Sequence, residues 1–92
     1  MVKIIRNVGG IIMEKTYLKF GEALDIIKVG GMVERKGWNG KDMYVTLIPA
    51  RRAVYQGSNI QDCLALKTPE GNMQPGWLPS QEDLLTEDWR IV

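Results

Sequence analysis

The sequence predicts an α+β fold: a small, mostly antiparallel sheet with one long and one short helix packed on it. Three observations carry that prediction. The segment "FGEALDIIKVGG" places Phe20, Ala23, Leu24 and Ile27 at three-and-four spacing, the periodicity of a helix with one buried face. Elsewhere, short runs rich in Val, Ile, Leu and Tyr are separated by Gly, Pro and Asn, the punctuation of hairpins. The resulting order is strand or arm, helix, hairpin, loop, hairpin, short helix, strand, which segregates helices from an antiparallel sheet rather than alternating them with strands.

The chain is 92 residues long, which predicts a single domain over 1–92 with a thin core. Residues 1–16, "MVKIIRNVGGIIMEKT", read as an N-terminal arm or two short strands broken at Gly9-Gly10, and both Met1 and Met13 stand as candidate starts. The apolar side chains of such an arm need a cover, for which a second subunit is a candidate. Glu22 in the first turn, Lys28 in the last and Gly30-Gly31 beyond it then bound the long helix, the charges matching its dipole and the glycines its stop.

"MVERKGW" and "DMYVTLIP" read as strands on either side of Asn39-Gly40, the strongest short hairpin signal because both turn residues must accept positive φ. Residues 49–59, "PARRAVYQGSN", show no periodicity and read as a loop. "IQDCLALK" and "NMQPGWLP" form the second hairpin, joined at "TPEG", where Pro69 presets φ and Gly71 supplies the unusual one. In "SQEDLLTEDW", Ser80 is the N-cap with Asp83 three positions on, opening a short helix before a last strand, "WRIV".

Composition removes many functions. Hydrophobic residues at 45% and charged ones at 25% suit a folded soluble domain. Twelve Lys and Arg against eleven Asp and Glu leave a net charge of +1, so no long-range field draws the chain to nucleic acid or membrane, and any anion site must be local. With no histidine and a lone Cys63, the chain lacks the parts for a His-based triad, a His/Cys zinc cage or an internal disulfide. No apolar run reaches the ~18 residues of a membrane span and no signal peptide is evident, so a cytoplasmic location is expected. Neither a P-loop, a Rossmann glycine fingerprint nor a metal motif is present.

Four places could carry chemistry. Trp38-Asn39-Gly40-Lys41 offers an indole to stack on a flat group, an amide for a polar edge and a glycine that lets a ligand approach the backbone; turn chemistry alone also accounts for the tetrapeptide, with Trp38 as a buried ring. Arg51 and Arg52, with Tyr55 close by, could grip a pyrophosphate, although adjacent loop arginines are more often simply solvated. Glu82, Asp83, Glu87 and Asp88 beside Trp77 and Trp89 could act as acid and base or accept ribose hydroxyls. Acids favouring a helix dipole and tryptophans filling a small core explain them better. Cys63 alternates with Ala65 in a strand and, with no histidine to activate it, reads as core.

"FGEALDIIKVGGMVERKGWNGKDMYV" and "PGWLPSQEDLLTEDWRIV" resemble a family of small phage and prophage proteins marked by a "(F/S)xEAL…GxxVxRxGWNGKxM" opening and a "PWLxSQxDLLAxDW" ending, matched over roughly residues 18–48 and 75–92. That family includes the Thoeris anti-defence protein of type one, so the resemblance implies a sponge that sequesters cyclic ADP-ribose isomers made by TIR-domain defence enzymes without cleaving them, working without cofactor or catalytic residue in the host cytoplasm. It implies a homodimer with the ligand at the subunit interface; some relatives form hexamers and bind cyclic di- or trinucleotides at a second site. Trp38, Asn39 and Gly40 match the first motif and Ser80, Gln81, Asp83, Asp88 and Trp89 the second; Arg51, Arg52 and Tyr55 join them on chemistry alone. The chain departs from the pattern at Gly76, inserted between Pro75 and Trp77, and at Thr86. Two other readings stay open here: a phage structural or protein-interaction module, and a small nucleotide hydrolase using Asp83 or Asp88.

Overall fold

A computed structural model describes residues 17–38, 42–50 and 53–92 in full, and residues 4–8 and 11–15 as backbone. Strands β1 (Ile4–Val8) and β2 (Ile11–Lys15) pair antiparallel with each other as a separate two-stranded ribbon. Helix α1 (Phe20–Lys28) follows, then β3 (Val33–Arg35), a 3₁₀ turn (Lys36–Trp38) and β4 (Tyr44–Ile48). A small ribbon of β5 (Val54–Tyr55) and β6 (Ser58–Asn59) precedes β7 (Cys63–Lys67) and β8 (Met73–Pro75). Helix α2 (Gln81–Leu85) and strand β9 (Trp89–Ile91) complete the chain. The main sheet runs β8-β7-β4-β3-β9, antiparallel throughout, as the α+β reading predicts.

Helix α1 forms where the three-and-four spacing placed it, and Ala23 and Ile27 are its fully buried residues. The Glu22 carboxylate accepts the Lys19 amide at 3.0 Å, closing the first turn. At the other end Gly30 adopts φ +93°, Gly31 N–H donates to Ile26 O and Gly30 N–H to Ile27 O, both at 2.9 Å. This is the Schellman arrangement that glycine permits and other residues resist. The helix lies over β3, β4 and β9. Between them sits the core of Leu18, Ala23, Ile27, Val33, Val45 and Trp89, each side chain of Ile or Leu size contributing about 1.5–3 kcal/mol by leaving water.

Register decides which face each residue of β3 occupies. Val33 lies opposite both Val45 and Ile91, and Arg35 opposite Trp89, so Val33, Arg35 and Trp89 share the helix-covered face. Glu34, between them, points to the other face, where its carboxylate accepts Arg90 Nε at 2.9 Å. The sheet extends past β9 by one bridge: Leu18 N–H donates to Trp89 O at 2.7 Å, and Trp89 N–H to Leu18 O at 3.2 Å.

Four local expectations change. "MVERKGW" is not strand to its end: β3 stops at Arg35 and Lys36–Trp38 turns as 3₁₀. Val33↔Val45 is the registered pair between β3 and β4, since the chain leaves the strand for the 3₁₀ turn directly after Arg35; Asn39 and Gly40 lie outside the described residues. The 49–59 loop contains the β5–β6 ribbon, turned by Gln56 (φ 49°) and Gly57 (φ 79°), the two positive angles of a type I′ turn. In "IQDCLALK" the strand begins only at Cys63, with Asp62 turned to accept Ala50 N–H at 2.8 Å. And "NMQPGWLP" ends as a strand at Pro75, because Gly76 (φ 83°) and Trp77 both donate to Leu64 O, at 2.8 and 3.0 Å. Two consecutive amides on one carbonyl, with glycine first in the left-handed region, make a β-bulge. Trp77, next after the glycine, packs on Phe20 and Trp89.

Candidate ligand-binding site

Trp89 is the centre of the site and is wholly buried. Three aromatic rings meet its indole: Trp38 at 5.4 Å between centroids, Phe20 at 5.6 Å and Trp77 at 6.2 Å, all edge-on. Edge-to-face contact sets the positive rim of one ring on the negative face of another. The one polar atom of the Trp89 ring is satisfied, since Nε1 donates to Asp83 O at 2.9 Å. Phe20, Trp38 and Trp77 are each partly buried around the wholly buried Trp89, and Trp38 is the one that rides on the 3₁₀ turn.

Helix α2 closes one side of this cluster. Ser80 and Asp83 cap it reciprocally: Ser80 Oγ accepts Asp83 N–H at 3.0 Å, and Asp83 Oδ2 accepts Ser80 N–H at 2.8 Å. The shorter aspartate thus completes a capping box in which glutamate is the commoner third residue. Asp83 Oδ1 is occupied as well, by Arg35 Nη1 at 2.9 Å.

Arg35 gathers the acids of the tail. Its Nε donates to Asp88 Oδ1 at 3.0 Å and its Nη2 to Glu82 Oε1 at 2.9 Å and, at 3.5 Å, to Asp88 Oδ2. The side chain is 11% exposed, against 13% for Asp83, 29% for Asp88 and 78% for Glu82. Burial pushes the Asp88 carboxyl up, but hydrogen bonds from Arg35 and Thr86 and the guanidinium charge outweigh it and hold the group below its ordinary value. The Arg35 guanidinium is pushed up in turn, chiefly by Asp88.

The chain thereby brings together Trp38, Ser80, Asp83, Asp88 and Trp89 from the sequence-derived set. Gln81 is exposed as the first residue of α2. Tyr55 stands apart on the β5–β6 ribbon, 68% exposed. Asn39, Gly40, Arg51 and Arg52 lie outside the described residues. Sequence reasoning passed over Arg35, although it is the arginine written into "VxRxGWNGK" two positions ahead of Gly37-Trp38, and over Phe20. No group of three or more His, Cys, Asp or Glu among the described residues is placed to hold a metal ion, and no described helix is long and apolar enough to cross a membrane.

Fold and site define a small α+β domain organised around a tryptophan cluster that an arginine–carboxylate cluster braces. The sequence model of the Tad2-like family, the Thoeris anti-defense 2-like domain, matches residues 18–92, and the chain belongs to that family. It is also 38% identical over 88 residues to "Thoeris anti-defense 2" of Bacillus phage SP01, an alignment covering 85% of this chain and 98% of the phage protein. The Thoeris anti-defence resemblance read from the two motifs therefore holds, with the family numbered two where the motifs were matched to type one.

Proposed function

We propose that the chain counters Thoeris defence as a sponge: it binds a cyclic ADP-ribose type of signal made by a TIR-domain enzyme and holds it uncleaved in the host cytoplasm, so that the downstream effector stays silent. Membership of the anti-defence family is the observation that carries this reading. The partly open Trp38 ring supports it, being suited to stack on an adenine. In this reading Asn39, Gly40, Ser80 and Gln81 supply polar edges, Arg51 and Arg52 neutralise the pyrophosphate, and Tyr55, on the separate β5–β6 ribbon, offers a second ring. Asp83, Asp88 and Trp89 form the frame that holds Trp38. A 92-residue domain has little room for a deep cleft, which favours a site shared between two copies.

Asp88, held below its ordinary value by Arg35 and Thr86, has no proton to give as a general acid at neutral pH. To test the reading, purified protein is mixed with glycocyclic ADP-ribose, the free ligand is measured after ultrafiltration, and the retained fraction is released by heat and weighed by mass spectrometry. Depletion followed by release of intact ligand is the expected result; release of a hydrolysed product makes the protein an enzyme, and no depletion leaves an interaction module. Light scattering on the same sample reports whether ligand is held by two copies.

A further inference from the structure

Arg35 matches no ligand role in the reading above, yet both motif segments converge on it. Its backbone lies opposite Trp89 in the sheet, and Lys36 N–H, one residue on, donates to Asp88 O at 3.1 Å. Its side chain reaches Asp88, the neighbour of Trp89, and Asp83, whose carbonyl receives the Trp89 indole N–H. Three residues after Arg35 comes Trp38, edge-on to Trp89 with 79° between the rings. Arg35 thus holds the turn that carries Trp38 and the segment that carries Trp89 in one bracket.

Two features separate this from an ordinary ion pair. Four of the five guanidinium donors point at carboxylates, so little of the group is left for a phosphate. One positive charge faces three negative ones, so the cluster repels an anion. A part-buried cluster of this kind stabilises no more than apolar packing of similar volume would, and what it adds is fixed relative geometry between segments 53 residues apart in the chain.

We infer that Arg35 is a positioning residue, which sets the angle of the Trp38 ring against Trp89 and so presents the part of it left to solvent to a planar base, without touching the ligand itself. This rests on the reading of Trp38 as a stacking residue. The test compares wild type, R35K, W38A and the double variant R35K/W38A, each by calorimetric titration with glycocyclic ADP-ribose and by near- and far-ultraviolet circular dichroism without ligand. Lysine keeps the charge but has no planar fork to span three carboxylates.

R35K is expected to bind roughly tenfold more weakly than wild type, yet to change affinity less than about twofold when Trp38 is already alanine, since contacts acting through one group are not additive. Its near-ultraviolet tryptophan spectrum shifts while the far-ultraviolet one does not, and the shift is lost in the W38A background. Equal affinity of R35K and wild type overturns the inference; so does the same loss in both backgrounds, which marks Arg35 as a ligand contact or a general stabiliser. If wild type binds no ligand, the sponge reading falls, and the spectral comparison alone decides whether Arg35 sets Trp38. Should R35K not fold, D88N weakens the two Asp88 contacts of the guanidinium while leaving those to Asp83 and Glu82, and carries the same comparison.

Discussion

Arg35 and Asp88 meet twice, Nε to Oδ1 at 3.0 Å and Nη2 to Oδ2 at 3.5 Å, with the arginine 11% and the aspartate 29% exposed. Glu82 meets the same guanidinium at 2.9 Å but is 78% exposed, so water competes for it. The two acids are therefore unequal despite similar distances. Asp88→Asn is expected to lower unfolding free energy by about 2 kcal/mol, as for a part-buried hydrogen bond to a charged group, and Glu82→Gln by less than about 0.5 kcal/mol. Urea denaturation of both variants checks the order; equal losses would mean that exposure does not govern this cluster.

The same contact makes stability depend on pH. Folding holds the Asp88 carboxyl below its ordinary value of 3.8, so the unfolded chain binds its proton first and the folded state loses its advantage as pH falls. The contribution of Asp88 is complete well above that value and declines from it downward, vanishing once pH passes the folded value. Melting temperature measured from pH 7 to pH 3 should drop in the acid limb, and Asp88→Asn should make that limb shallower while lowering the plateau. A parallel drop in the variant would assign the acid limb to other groups.

What could be read from the chain was what neighbouring residues decide. Helix α1, the Ser80–Asp83 cap and the Gly71 turn, where Gly71 N–H donates to Thr68 O at 2.9 Å, each depend on residues within a few positions, and each was legible. The β5–β6 turn escaped because glutamine rarely takes the left-handed position that Gln56 holds at φ 49°. Arg35 escaped for another reason: its partners lie about fifty residues away, and only the sheet register that sets β3 against β9 brings them close. Trp38 and Trp89 were both visible as candidates, but the sequence had no means of showing that one is wholly buried and the other partly open.

That difference gives opposite expectations for two tryptophans in contact. Trp89→Ala empties the middle of the core and should cost about 3–5 kcal/mol, enough to unfold a domain this small. Trp38→Ala removes a ring from the margin and should leave a folded protein, with ligand affinity reduced by roughly 1–3 kcal/mol if the ring stacks on a base. Denaturation and ligand titration of both variants separate the roles. A Trp38→Ala protein that fails to fold would place that ring in the core instead.

Gly76 and Gly71 provide a last comparison, because both hold left-handed backbone, at φ 83° and 91°, and a Cβ at either would stand in open space. Replacement by alanine thus carries a backbone penalty alone, about 1 kcal/mol at each position. Their consequences differ beyond stability. Gly71 turns an exposed hairpin, whereas Gly76 is the first residue of the bulge whose second residue, Trp77, packs 6.2 Å from Trp89. Gly76→Ala should therefore disturb the near-ultraviolet tryptophan spectrum as well as the melting temperature, while Gly71→Ala lowers only the latter. Identical spectra for the two variants would show that the bulge does not set Trp77, and that Gly76 is accommodated without re-aiming the ring.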